Sequence, residues 1–156
     1  MKILILYDSY FGNTEKIAKT IYQSLQDKGD VEIHNVKDFK QEMLDNVNLL
    51  IVGSPTRAFR ATESTTKMIK SIKDGSLNCT KVATFDTRMD IEKSNSKILA
   101  FMVNLFGYAA EPMLKQLTKK GGIPITEPIG FYVEDTEGPL SKDEEQKAKE
   151  WTKKIL

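Results

Sequence analysis

Three short apolar runs dominate the chain: Ile3-Leu4-Ile5-Leu6-Tyr7, Leu49-Leu50-Ile51-Val52-Gly53 and Val82-Ala83-Thr84-Phe85. A strand with one wet face alternates polar and apolar residues; these runs do not alternate. Continuous runs this short are what a parallel strand covered on both faces requires. A weaker run covers Val31 to Val36. Another covers Ile129-Gly130-Phe131-Tyr132-Val133, preceded by Ile123-Pro124-Ile125-Thr126 with a break at Pro128.

Helical spacing fills the gaps. Ile17, Ala18, Ile21 and Leu25 share one face of a segment over residues 14–28, stopped by Gly29, with Asn13 or Thr14 expected as its cap. Met68, Ile69 and Ile72 repeat the pattern after Thr62. Ile98, Leu99, Met102, Leu105 and Phe106 predict a longer helix, broken or kinked at Gly107 and Pro112. Ser141 and Glu144 have capping-box spacing ahead of a helix that buries Ala148, Trp151 and Ile155. A short helix over residues 38–44 would turn Phe39, Met43 and Leu44 inward. Strand and helix thus alternate about five times. One domain spanning residues 1–156 follows, an α/β doubly wound three-layer sandwich around a parallel sheet.

Composition removes several chemistries. The chain has 156 residues, 23 Lys+Arg, 22 Asp+Glu and a net charge of +1. That balance gives no general pull toward nucleic acid or anionic lipid. Cys79 is the only cysteine and His34 the only histidine. An internal disulfide is impossible, and no zinc site can be assembled from them. His34 reads as strand surface and Cys79 as an inert small residue, so redox chemistry would come from a bound cofactor. The apolar opening after Met1-Lys2 stops at Asp8, too short for a signal peptide, and no run is long enough to span a membrane. A cytoplasmic protein is the expectation.

Ligands of such sheets bind beyond the carboxyl ends of the strands, where strand order reverses. Three loops meet there. The first, Asp8-Ser9-Tyr10-Phe11-Gly12-Asn13-Thr14-Glu15, combines hydroxyls, a flexible glycine and a helix start, which suits a phosphate as well as it suits an ordinary capped helix. It lacks both G-x-G-x-x-G and G-x-x-x-x-G-K-[ST]. The second, Gly53-Ser54-Pro55-Thr56-Arg57-Ala58-Phe59-Arg60, offers backbone polar groups and an aromatic plane for a flat heteroaromatic ligand. The third, Phe85-Asp86-Thr87-Arg88-Met89-Asp90, offers hydroxyl and guanidinium groups. Glu134-Asp135-Thr136-Glu137 reads as a solvated turn or a docking rim.

These loops resemble those of the flavodoxin-like family. Ser9 to Thr14 is similar to its phosphate loop, [ST]-x-[ST]-G-x-[ST], and Gly53-Ser54-Pro55-Thr56-Arg57 to a loop of its quinone reductases. The resemblance implies strand order 2-1-3-4-5 and FMN between strands 1 and 3, the arrangement for which flavodoxin is itself the standard illustration. It implies that Ser9, Gly12, Asn13 and Thr14 hold the phosphate, with backbone N–H groups of Tyr10 and Phe11. Pro55, Thr56, Arg57, Ala58 and Phe59 would meet the isoalloxazine, and Asp86, Thr87 and Arg88 its pyrimidine edge. Phe11 stands where the family carries a hydroxyl residue, and the third loop lacks the aromatic that covers the ring in many carriers.

The function expected is electron transfer between redox partner proteins, with no catalytic side chain and no metal. The alternative is a small FMN-dependent NAD(P)H:quinone reductase serving a quinone-like acceptor. A phosphoryl-accepting receiver module is disfavoured because Gly53-Ser54 stands where its Asp would be. Nothing demands an oligomer beyond a monomer or weak homodimer. All three arginines, Arg57, Arg60 and Arg88, fall in the two loops assigned to the ring. Cations there would favour the reduced, more negatively charged flavin.

Overall fold

The parallel strands run in the order β2-β1-β3-β4-β5, built from β1 (Lys2–Tyr7), β2 (Asp30–Asn35), β3 (Leu49–Pro55), β4 (Lys81–Met89) and β5 (Ile123–Pro124). A sixth strand, β6 (Ile129–Val133), also pairs with β4. The computed structural model describes residues 1–93 and 95–156. β5 pairs with the start of β4, Lys81 opposite Ile123, and β6 with its end, Phe85 opposite Ile129. The edge strand is therefore one strand in two pieces, parted at residues 125–128, where Pro128 has no N–H to give a ladder.

Helices cover both faces. α1 (Asn13–Leu25) and α5 (Glu144–Thr152) pack on the face that buries Ile3, Ile5, Ile51, Phe85 and Phe131. α2 (Glu63–Ser71) and α4 (Ala110–Lys119) pack on the face that buries Leu4, Leu6, Leu50, Val52 and Val82. Both phases of β1 are thus inside, which is why its sequence does not alternate. Trp151 anchors α5 edge-on to Phe85, with ring centroids 6.3 Å apart.

Several local expectations are corrected. Gly12, not Asn13 or Thr14, caps α1, in a left-handed conformation with no side-chain bond. Ser141 and Glu144 form no capping box: Glu144 Oε2 instead accepts from the Tyr132 N–H and from Lys147 Nζ, at 3.1 and 3.3 Å. In place of one helix over residues 38–44 there are two short 3-10 turns, Val36–Asp38 and Gln41–Leu44. Pro112 breaks nothing, because it lies in the first turn of α4, where a missing N–H costs little.

The main departure is α3 (Lys97–Phe106). The break at Gly107 separates it from α4, and α4 alone makes the crossover from β4 to β5. α3 makes no more than isolated contacts with other elements. Of its expected inward residues, Ile98 is 78%, Leu105 63% and Phe106 52% exposed, and Phe101 is 64% exposed beside them. Only Val103 is buried.

Candidate cofactor cleft

The carboxyl ends of β1, β3 and β4 bring the three loops around one cleft. Ser9, Tyr10, Phe11, Asn13, Thr14, Pro55, Thr56, Arg57, Thr87 and Arg88 line it, together with Met89, Val133 and Thr136. The lining carries hydroxyls and two guanidinium groups but no carboxylate.

Asp8, the residue after β1, organises the first loop. It is buried; one oxygen accepts from the Ser9 N–H at 2.9 Å and the other from Thr62 Oγ1 at 2.6 Å. Thr62 caps α2 through the Thr65 N–H, and its own N–H donates to Ser54 Oγ at 3.0 Å. One buried network therefore locks the first loop to the second. Further along, Ser9 Oγ accepts from the Gly12 N–H at 3.1 Å. Gly12 sits at φ 89°, a left-handed backbone that an L side chain would strain. Thr14 Oγ1 and Thr87 Oγ1 share a buried bond of 2.7 Å, tying this loop to β4. The N–H groups of Tyr10, Phe11, Asn13 and Thr14 have no partner among the described residues. Free donors at a helix start suit an anion.

The second loop is fixed by the Thr56 N–H donating to the Thr87 carbonyl at 2.9 Å and by Thr56 Oγ1 accepting from the Ala109 N–H at 3.0 Å. Arg57 and Arg60 then exchange both backbone bonds, at 2.8 and 3.1 Å, around a two-residue turn. Ala58 and Phe59 occupy it at φ 46° and 67°, where Asn-Gly is the comfortable pair. Ala58→Gly is expected to stabilise the protein by about 1 kcal/mol by relieving that strain. A rise in the urea midpoint at unchanged slope checks it.

This turn carries Ala58 and Phe59 away from the cleft. The Phe59 ring lies against Phe106 of α3, centroids 5.9 Å apart at an interplanar angle of 30°. Arg57 stays in the cleft, its guanidinium carbon 5.4 Å from the ring centroids of both Tyr10 and Phe11. With these three side chains folded together, about 80 Å³ of the cleft is open. That is room for a phosphate-sized group, and Tyr10 and Phe11 beside it are about half exposed.

What read as a third loop is the end of strand β4, which continues to Met89. Asp86 is fully buried and does not line the cleft. Its carboxylate takes Arg88 Nε and Nη2 at 2.6 and 2.7 Å and the Ala110 N–H at 2.9 Å. The Arg88 guanidinium lies 3.6 Å from the Tyr108 ring centroid. A Cβ on Gly130 would stand 2.1 Å from Arg88 Nε, so only glycine leaves the guanidinium its place. Burial raises the Asp86 carboxyl above the usual carboxylate value, against the pull of Arg88. Burial also opposes the charge on Arg88, but its bonds to Asp86 outweigh that and hold its pKa above normal.

The arginine cluster therefore divides. Arg88 faces the cleft with its charge offset by Asp86. Arg60 lies outside the cleft. Arg57 is the cleft cation with no carboxylate partner among the described residues. Sequence reasoning put Asp8, Met89 and Thr136 in the loops at this end of the sheet but gave none of them, nor Tyr108 or Val133, a part in the site. Met89 was detectable as strand continuation; Tyr108 had no local signal. No group of histidine, cysteine or acidic residues among the described residues could hold a metal.

The family model for the flavodoxin domain matches residues 4–120. The chain belongs to the flavodoxin domain family. Membership implies a flavin cofactor, and the donor set of the cleft agrees with an anionic one. Solved structures with the same fold include oxidised flavodoxin 1 from Bacillus cereus, with TM-score 0.76 and 16% identity over 99% of this chain and 97% of that one. A flavodoxin from the domain Archaea gives 0.73 and 19%, over 99% and 96%. Rubredoxin oxygen:oxidoreductase from Desulfovibrio gigas gives 0.65 and 21%, over 99% of this flavodoxin-domain chain but 35% of that larger one. No curated protein matches the sequence.

Proposed function

We propose that this flavodoxin-domain protein binds FMN and passes electrons between redox partners. The observation that carries the reading is the cleft lining: free backbone N–H groups, the Ser9 and Thr14 hydroxyls and two guanidiniums, without a carboxylate. In this reading Ser9, Thr14 and the N–H groups of Tyr10, Phe11 and Asn13 hold the phosphate. Pro55, Thr56, Arg57, Thr87 and Arg88 border the ring. Gly12 gives the first loop its turn, while Asp86 acts through Arg88. Ala58 and Phe59 shape the far wall of the second loop.

Bound flavin supplies the one- and two-electron chemistry, and the protein tunes it by what it sets beside the ring. Arg88 and Asp86 together contribute little net charge. Arg57 contributes a whole one, in a partly desolvated position where Coulomb attraction counts. Protein titrated with FMN is expected to bind it at micromolar concentration, giving a yellow complex with a structured flavin absorption band. Arg57→Gln should make the reduction midpoint more negative. Absence of bound chromophore overturns the reading; an unmoved midpoint overturns the role of Arg57.

A second reading, a small NAD(P)H:quinone reductase, is favoured by the apolar α3 beside the second loop. Consumption of NADH or NADPH with a soluble quinone, in the absence of any partner protein, separates it from a carrier. Among the described residues no helix is long and apolar enough to cross a membrane.

A further inference from the structure

α3 is surplus to the fold. The crossover from β4 to β5 is completed by α4, yet α3 is inserted before it and left with Ile98, Phe101, Leu105 and Phe106 exposed. Exposing such side chains forgoes the free energy that burying them in a core would give. A large exposed apolar surface of this kind marks a binding site.

The concave part of that surface is specific. Ala58, Phe59, Arg60, Met102, Phe106 and Pro112 enclose a hollow of about 450 Å³. That is the size of a small-molecule site. Two of its walls are aromatic, and they are tilted by 30° rather than stacked flat. Phe59 is brought there by the left-handed turn at residues 58 and 59. At the rim, the exposed Arg60 guanidinium has no hydrogen-bond or ion-pair partner among the described residues. Its N–H donors are therefore open to an acceptor oxygen on a bound molecule. Pro55, Thr56 and Arg57, from the same loop, line the cofactor cleft, so the hollow lies on the other side of one turn from it.

We propose that this hollow binds a planar, mostly apolar aromatic ligand bearing a carbonyl or phenolate oxygen. Its ring lies against Phe59 and Phe106, and its oxygen accepts from Arg60. Aromatic contact and a forked cation together select such a molecule over an aliphatic or a cationic one. The claim is one of binding and needs no flavin. Only the role of the ligand as an electron acceptor rests on the second reading above.

The test is calorimetric titration of the full chain with a hydroxynaphthoquinone, a two-ring probe whose ionised oxygen suits Arg60, with and without FMN. Saturable one-to-one binding is expected in both forms. Phe106→Ala should weaken it about tenfold. Arg60→Gln should weaken it about three- to tenfold and remove its salt dependence. Both side chains are exposed enough for the variants to fold, and both should bind FMN as the parent does. Phe101→Ser, on α3 but outside the hollow, should leave probe binding unchanged.

No saturable binding overturns the proposal. So does an equal loss in Phe101→Ser, which would mean general adhesion to α3. Displacement of the probe by FMN would place it in the cofactor cleft and equally overturn the assignment. A dimer that disappears in Phe106→Ala, without probe binding, would assign the face to a second copy instead. Failure to bind FMN with probe binding intact would overturn the flavin reading and leave this one standing.

Discussion

Arg88→Met alone is expected to lower the unfolding free energy by about 3–5 kcal/mol. At this chain length that corresponds to a fall in melting temperature of roughly 10 °C or more. The cost is not the value of the ion pair itself. It comes from leaving the Asp86 carboxyl fully buried with the Ala110 N–H as its remaining protein donor. Removing both charges is different. Asp86→Leu/Arg88→Met takes away the desolvation penalty together with the attraction, so the double variant should recover most of the loss. The single variant should also show a steeper pH dependence than the parent. With the guanidinium gone, only the Ala110 N–H still opposes burial, and the Asp86 pKa in the folded state rises further above its ordinary value. Below the unfolded carboxyl value of about 4, both states are protonated and the group costs nothing. As pH rises the unfolded state ionises first, and stability falls until the folded value is passed. Urea unfolding of Arg88→Met should therefore give greater stability near pH 4–5 than near pH 8, relative to the double variant. Equal stability of the single and double variants at both pH values would show that the pair carries no such stress.

FMN added at a hundredfold excess over its dissociation constant is expected to stabilise the protein by about 2.7 kcal/mol. The melting temperature should rise by roughly 5–10 °C. The phosphate end should supply much of the affinity, because the donors found in the first loop are free in the folded protein. Riboflavin, which lacks the phosphate, should raise the melting temperature far less at equal concentration. Ser9→Ala/Thr14→Ala should weaken FMN by about a hundredfold or more and riboflavin little, since each lost hydrogen bond to a charged group is worth about 1.5–3 kcal/mol. Thr14 also bonds Thr87, so the fold of that variant is checked by its unliganded melting curve. Equal binding of FMN and riboflavin would remove the phosphate from the first loop.

The sheet was legible because burial on both faces leaves a plain mark. β1 and β3 read as strands from hydrophobic continuity alone, and the loops that follow them could then be placed at one end of the sheet. Legibility stopped where pairing replaced hydrophobicity. Asp86 and Arg88 looked like loop residues because both are charged. They lie two apart on one strand face and bond each other, so the strand can carry them. Glu144 looked like half of a capping box, but Tyr132 and Lys147 take its carboxylate instead of the backbone N–H of Ser141. Phe59 was expected on the cofactor because it follows Thr56 and Arg57. A two-residue left-handed turn reverses the chain and sends its ring to α3. The three arginines were adjacent in loop order but not in environment: one is neutralised, one free in the cleft and one outside it. The face of α3 had sound helical spacing, but spacing cannot tell whether a second surface exists to cover it.

Tyr108 sits between α3 and α4, and its ring rests on the Arg88 guanidinium in the cofactor cleft. The junction that positions α3 thereby touches the guanidinium that, in the proposed reading, borders the flavin. Thermodynamic linkage then makes the traffic two-way. Whatever factor occupancy of the cleft applies to affinity at α3, occupancy at α3 must apply to affinity in the cleft. A molecule that settles against Phe106 can in this way report on, and be reported by, the state of the cofactor without touching it.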